Sequence, residues 1–191
     1  MSKVIKNSII LILILLTIFS IVFGSFLPLI KSRYYITAVK NLSSIKSVAD
    51  FKNNFDKALK FYSPVGDEEV VKYLANVIFG IISNKNQSEE VSRELVSYIE
   101  PYLFENNVRH LISGGSLYFS LWVNYGGKDR DLEKAESYFL KAYQIGPKLP
   151  QVLYGLFDLY KESQQKEKAI KIAQEILSYW PEDKKVIEIL E

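Results

Sequence analysis

The residues that could do chemistry in this chain are few and scattered. His110 is the single histidine among 191 residues, and histidine is the side chain whose ordinary pKa suits proton shuttling near neutrality. It has no second histidine, no cysteine and no HExxH pattern with it, so it reads as a solvated helix residue, not as a metal ligand. Glu68-Glu69 and Glu89-Glu90 are paired carboxylates, the type that general acid/base work needs. Both pairs fall where a helix would begin, and the positive end of the helix dipole explains them without catalysis. Arg109 and the run Asp129-Arg130-Asp131 read as solvated or ion-paired surface. Gly114-Gly115 and Gly126-Gly127 lack the lysine and framing residues of a phosphate-binding loop. The absence of cysteine excludes a disulfide framework, a thiolate zinc site, a thiol nucleophile and a lipidated cysteine. The expectation is no enzyme, no cofactor, no metal and no small-molecule substrate.

Binding or scaffolding remains, and the elements decide which. Apolar residues make up 48% of the chain, enough for a sizeable core, with too little Gly and Pro for a disordered or fibrous chain. The net charge of +2 hides an asymmetry. Residues 1–60 carry nine Lys/Arg against two Asp, or +7; residues 61–191 carry fifteen basic against twenty acidic residues, or −5. A nucleic-acid binder would concentrate basic residues on its folded domain. Here they lie at the start, as in a chain that begins against anionic lipid.

From Ser8 to Ile30 the chain reads SIILILILLTIFSIVFGSFLPLI without a charge. About 20 helical residues at about 1.5 Å each cross a hydrocarbon core of about 30 Å. Thr17 and Ser20 can return their hydroxyls to the helix backbone, and Pro28 sits near the far end where a kink is tolerated. The rival is a cleaved signal peptide, with Lys3 and Lys6 as its charged start and Val22-Phe23-Gly24 before a mature Ser25. The apolar run is longer than a signal core of about 7–15 residues and continues past Gly24, so a retained span is expected. Ser20 and Gly24 have small-xxx-small spacing, which spans often carry without using it. Lys31, Arg33, Lys40 and Lys46 follow the span. By the positive-inside rule they favour a cytoplasmic C-terminal domain, while Lys3 and Lys6 pull the other way.

Beyond the span, helix signals dominate. Phe51, Phe55, Ala58, Leu59 and Tyr62 form an apolar stripe at three- and four-residue spacing, ended by Ser63-Pro64. Gly66-Asp67 opens a second helix with Val70, Val71, Leu74, Val77, Ile78 and Ile81 inward, Asp67 serving as N-cap. Ser88 starts a third, apolar at Val91, Leu95, Ile99 and Leu103. Short polar breaks between such helices argue for antiparallel neighbours. The fold class is all-α.

Two later stretches are copies. LEKAESYFLKAYQIGP (132–147) and KEKAIKIAQEILSYWP (166–181) place Ala135 and Ala169, and Pro147 and Pro181, 34 residues apart. Ala135, Phe139 and Ala142 share one helical face, as do Ala169, Ala173 and Ile176, where small residues permit close helix packing and proline stops the helix. This period resembles the tetratricopeptide repeat, a helix pair stacked into a solenoid. Leu153, Leu156, Tyr160, Ala169 and Pro181 match its repeat positions; Phe157 and Ile176 depart where the family prefers small residues. For the earlier copy, one register uses Tyr118, Leu121 and Tyr125 and sets Trp122 at a small-residue position. The preferred register uses Leu111, Gly115 and Tyr118, with two extra helical turns running to Tyr125, because a tight crossing demands glycine. The closing EDKKVIEILE, with Val186, Ile187 and Leu190 on one side, reads as a capping helix. The stretch FKNNFDKALKFYSP resembles a degenerate second helix of the same unit.

The expected organisation is an anchor at 1–30, a basic juxtamembrane segment at 31–46, degenerate hairpins at 47–105 and tetratricopeptide-like repeats with a cap at 106–191. The family resemblance implies a peptide groove on the first helices, here Arg109, Ile112, Ser116 and Phe119, then Gln151, Tyr154, Asp158 and Lys161. The Lys/Asn set that clamps a terminal carboxylate in chaperone-binding members is absent, with Tyr154 and Asp158 in the informative places. Such a chain would be a single-pass membrane scaffold or adaptor for a protein or peptide. The chain also resembles the last span and repeat tail of bacterial O-antigen ligase/polymerase-type membrane proteins, through KALKFYSPVGDEEV, NNVRHLISGGSLY and LEKAESYFLKAYQIGP. That resemblance implies a split or C-terminal part of a cell-surface polysaccharide protein, without the catalytic loops.

Overall fold

A computed structural model describes residues 3–190, with side chains for residues 4–188. The expectations for Lys3 and Leu190 as side chains therefore lie outside the described residues. Every regular element among the described residues is helical. The chain divides into two compact units, Met1–Val70 and Val71–Glu191.

The first unit is built on one long helix. α1 (Lys3–Ile21), a five-residue π stretch (Val22–Phe26) and α2 (Leu27–Lys40) run on without a break. The helix is long and apolar enough to cross a membrane, and its residues 4–21 are exposed on every side. A helix apolar on every side is the pattern that a lipid surrounding accommodates. Thr17 Oγ1 donates to the Leu13 carbonyl at 2.8 Å and Ser8 Oγ to that of Val4 at 3.0 Å, so both hydroxyls are satisfied without water. Pro28 explains the π stretch. Proline offers no N–H, and its ring presses on the carbonyl four residues back, at Gly24. The widened turn, in which the Leu27 N–H reaches back to the Val22 carbonyl, relieves that pressure.

The helix does not stop at the end of its apolar run. α2 continues through Lys40, so residues 31–40 are helix rather than a separate basic segment. α3 (Val48–Lys60) starts where Ser47 Oγ accepts the Asp50 N–H at 3.1 Å, then runs back antiparallel along α2. Asn54 Nδ2 donates to the Ala38 carbonyl at 2.7 Å, the Tyr35 and Phe55 rings lie 6.1 Å apart, and the Tyr34 and Phe61 rings meet edge-on at 5.4 Å. Phe51, Phe55, Ala58 and Ala38 are buried. Two expectations are corrected here. Tyr62 lies beyond the end of α3 and is 69% exposed, so it is not part of the stripe. Lys31 is not a free juxtamembrane charge: it is 1% exposed, donates to the Phe61 carbonyl at 2.8 Å and pairs with Asp67 at 2.5 Å. A buried ammonium is tolerated when its charge is paired and its donors are used.

α4 (Asp67–Ser83) has Asp67 as its first residue and not as its N-cap: the Gly66 carbonyl accepts the Val70 N–H, and the Asp67 carboxylate is on Lys31. The second unit takes its remainder together with α5 (Glu89–Ile99), α6 (Val108–Asn124), α7 (Asp129–Ile145), α8 (Pro150–Glu162), α9 (Lys166–Tyr179) and α10 (Lys184–Leu190). Leu74, Ala75, Ile78 and Ile82 of α4 are buried, whereas Val77 and Ile81 are only half-buried. The caps follow sequence rules: Ser88 Oγ accepts the Val91 N–H, Asn107 Oδ1 the Arg109 N–H, and Asp183 Oδ1 the Val186 N–H. Gly126 and Gly127, both with positive φ, turn α6 into α7. From α6 onward each helix packs on the next, and α6 also packs on α8. These are two successive helical hairpins followed by a short closing helix.

Candidate interaction faces of the helical hairpins

The hairpins are tied by a polar motif that occurs twice. Lys134 of α7 donates to Glu100 Oε1 at 2.7 Å and to the Tyr118 hydroxyl at 2.8 Å, with its ammonium 4.5 Å from the Tyr118 ring centre. Lys168 of α9 donates to Glu136 Oε1 at 2.7 Å and lies 5.0 Å from the Tyr160 ring centre, while the Tyr160 hydroxyl donates to the same Glu136 oxygen at 2.9 Å. Lys134 and Lys168 are 34 residues apart, the same offset as Ala135 and Ala169. In each case a lysine on the second helix sits over a tyrosine of the first and grips an acid from the element before. Tyr143 adds a further tie from α7 to α9 through Glu175, at 2.7 and 3.0 Å.

Burial and these acids shift the tyrosines upward. Burial, then the hydrogen bond to its neighbouring acid, raises the pKa of Tyr118 (Glu100) and Tyr160 (Glu136) well beyond the usual value. Tyr138 is pushed up to about 12 by burial and by Glu100, and Tyr143 to about 12 by its bond to Glu175. Burial alone would raise Glu100, but the hydrogen bonds from Lys134 and Tyr118 outweigh it and hold the carboxyl below its ordinary value.

Two residues first read as surface are interior. His110 is 1% exposed, not solvated. Residues 103–107 fold back over it, the Phe104 N–H donates to His110 Nδ1 at 3.0 Å, and the two rings lie 5.0 Å apart. Asp131 is 2% exposed and receives both ends of the Arg93 guanidinium, Nη1 at 3.0 Å and Nη2 at 2.6 Å. Arg93 also pairs with Glu89 at 2.7 Å, and Lys128 grips that same carboxylate. The hydrogen bonds from Lys128 and Arg93 lower the Glu89 pKa. Glu89 is therefore more than a helix start. It belongs to a charge cluster that ties α5 to α7.

The eight groove residues fall into two sets. On α6, Arg109, Ile112, Ser116 and Phe119 recur at three- and four-residue steps along one face. Arg109 is exposed, the other three are half-buried, and Phe119 stacks on Trp122 at 6.1 Å. On α8, Gln151 and Lys161 are exposed at the two ends. Tyr154 and Asp158 between them are occupied. The Tyr154 hydroxyl bonds Asp183 and its ring stacks on Trp180 at 6.3 Å, while both Asp158 oxygens accept from Lys185 at 2.8 and 3.0 Å. The partner of these two groove positions is thus the chain's own closing segment. The Tyr/Lys/Glu motif was missed from sequence, although a Tyr on one helix and a Lys at the 34-residue offset were both legible.

No family model, curated protein or solved structure matches the chain. The structure defines its class: an all-helical protein with one helix near the N-terminus long and apolar enough to cross a membrane. Among the described residues, no group of three or more His, Asp or Glu side chains could hold a metal ion, and every buried side-chain polar atom has a partner.

Proposed function

We propose that this chain is a single-pass membrane protein that displays a short tetratricopeptide-like array of helical hairpins as a scaffold or adaptor for another protein. The observation that carries the reading is the unbroken helix Val4–Lys40, apolar and exposed through its first half, attached to a domain whose buried ionisable groups are spent on structure. His110 is tied to the Phe104 backbone, Asp131 to Arg93 and the half-buried Glu100 to Lys134, and in the long helix the buried Lys31 is tied to Asp67. Groups committed in this way favour a binding role over a catalytic one. The lysines and arginine that follow the span favour a cytoplasmic domain.

The partner surface in this reading is what remains of the groove set on α6 and α8: Arg109, Ile112, Ser116 and Phe119, the last stacked on Trp122, with Gln151 and Lys161. Tyr154 and Asp158 are unsuitable for a test, because they already contact the closing segment through Trp180, Asp183 and Lys185. The triple variant Arg109→Glu, Gln151→Arg, Lys161→Glu touches exposed side chains only. It should lose a protein that co-purifies with the wild type from solubilised membranes, with unchanged helical circular dichroism. Undiminished co-purification would overturn the assignment of this face.

A further inference from the structure

The geometry points to a second membrane contact: the loop at residues 61–66, between α3 and α4, seats in the headgroup zone beside the span. This inference rests on the reading of residues 8–30 as a retained span. The run from Ser8 to Ile30 is 23 residues, against about 20 for a hydrocarbon slab of about 30 Å, so Lys31 stands at the slab's edge. α3 descends towards that edge, with Asn54 beside Ala38, Phe55 beside Tyr35 and Phe61 beside Tyr34. It ends with the Phe61 carbonyl 2.8 Å from Lys31 Nζ, and Gly66 lies along the Lys31 stem. Lys31 therefore pins both ends of the loop at the depth where the apolar run stops.

The loop projects apolar groups at that depth. Tyr62 is 69% exposed, Val65 60%, and Tyr34 on the facing helix 38%. A tyrosine with an apolar ring and a polar tip is favoured at a membrane–water interface, and a cluster of exposed apolar groups otherwise requires a partner. The nearby exposed charges are mixed, Arg33 and Lys60 with Asp67, Glu68 and Glu69, Lys60 being paired with Asp56 and Asp67 with Lys31. The occupant is therefore a zwitterionic headgroup layer, not a patch of anionic lipid. The α3 return makes a wedge of the span's exit, fixing the depth of the helix in the bilayer.

The chain has no cysteine, so single labelled cysteines report cleanly. The full chain in phosphatidylcholine vesicles would carry a bimane label through Leu15→Cys, Ser43→Cys, Tyr62→Cys or Val65→Cys. Quenching would be read with lipids bearing a nitroxide at the headgroup or mid-acyl chain, and with iodide from the water. Leu15 should lose its emission to the mid-acyl nitroxide, and Ser43, in the turn beyond the end of α2 at Lys40, itself about 14 Å along the helix from Lys31, to iodide alone. Tyr62 and Val65 should lose theirs to the headgroup nitroxide and be sheltered from iodide. Iodide quenching at 62 and 65 equal to that at 43, with Leu15 still in lipid, would overturn the loop contact and leave the span standing. Iodide quenching at Leu15 would overturn the span itself, and the loop contact with it.

Discussion

Asp131 and Arg93 meet through two parallel N–H···O bonds, with the carboxylate wholly buried and the guanidinium partly in water. Asp131→Ala removes the buried member and leaves Arg93 partly in water and still paired with Glu89, so it should destabilise the chain by about 1–3 kcal/mol, read as a lower urea midpoint in detergent micelles. His110→Phe should cost about 1–3 kcal/mol by stranding the Phe104 N–H. The shifted tyrosines set an alkaline limit. Where the folded pKa lies above the unfolded value of about 10, stability is complete below about pH 10 and falls as pH rises towards the folded value. For Tyr138 and Tyr143 that value is about 12. Absorbance titration should show these tyrosines ionising late, together with unfolding. Glu100 works in the opposite sense: held below its ordinary value, it contributes stability above about pH 4.5 that is lost as pH falls. Glu100→Gln should flatten that acid limb. At this scale sequence was a poor guide. His110 and Asp131 carry no local mark of burial, since what buries them comes from residues 103–107 and from α5.

Between helices the controlling side chain is Phe139. Its ring is 2% exposed and lies against two glycines, Gly115 of α6 and Gly155 of α8, where an added Cβ would come within 2.9 and 2.5 Å. A ring pressed from both sides has nowhere to retreat, so Gly155→Ala should cost about 1–3 kcal/mol through overpacking. In a Phe139→Leu background the same change should cost clearly less, the non-additivity expected of touching residues. Equal costs in the two backgrounds would refute the wedge. Here sequence spoke plainly. The stripe of Ala135, Phe139 and Ala142, and the preference for Gly115 at a close crossing, both match the packing, as does a long α6 ending at Asn124. Gly155 went unread, because a lone glycine in a helix gives no hint of the ring it admits. The occupation of Tyr154 and Asp158 by α10 was equally invisible, since it depends on where a seven-residue helix docks rather than on its pattern.

At the scale of the molecule, a charge-free run of apolar residues and a 34-residue period were enough to foresee an all-α chain with one span-length helix. The return of α3 along α2 was hidden, because Phe51, Phe55 and Ala58 show that α3 has an apolar face but not what it covers. If residues 8–30 anchor the chain, it should stay with membranes through alkaline carbonate extraction, and removal of residues 1–30 should release the rest to the supernatant. Release of the intact chain by carbonate would refute the anchor. The central claim, an anchored scaffold with a dedicated partner face, is tested most directly by site-specific photo-crosslinking in intact membranes. Positions 109, 151 and 161 would be compared with 171 and 174, which are exposed on α9. The account predicts one discrete protein adduct from the first three positions and none from the other two. Adducts of equal yield at all five, or at none, would contradict it.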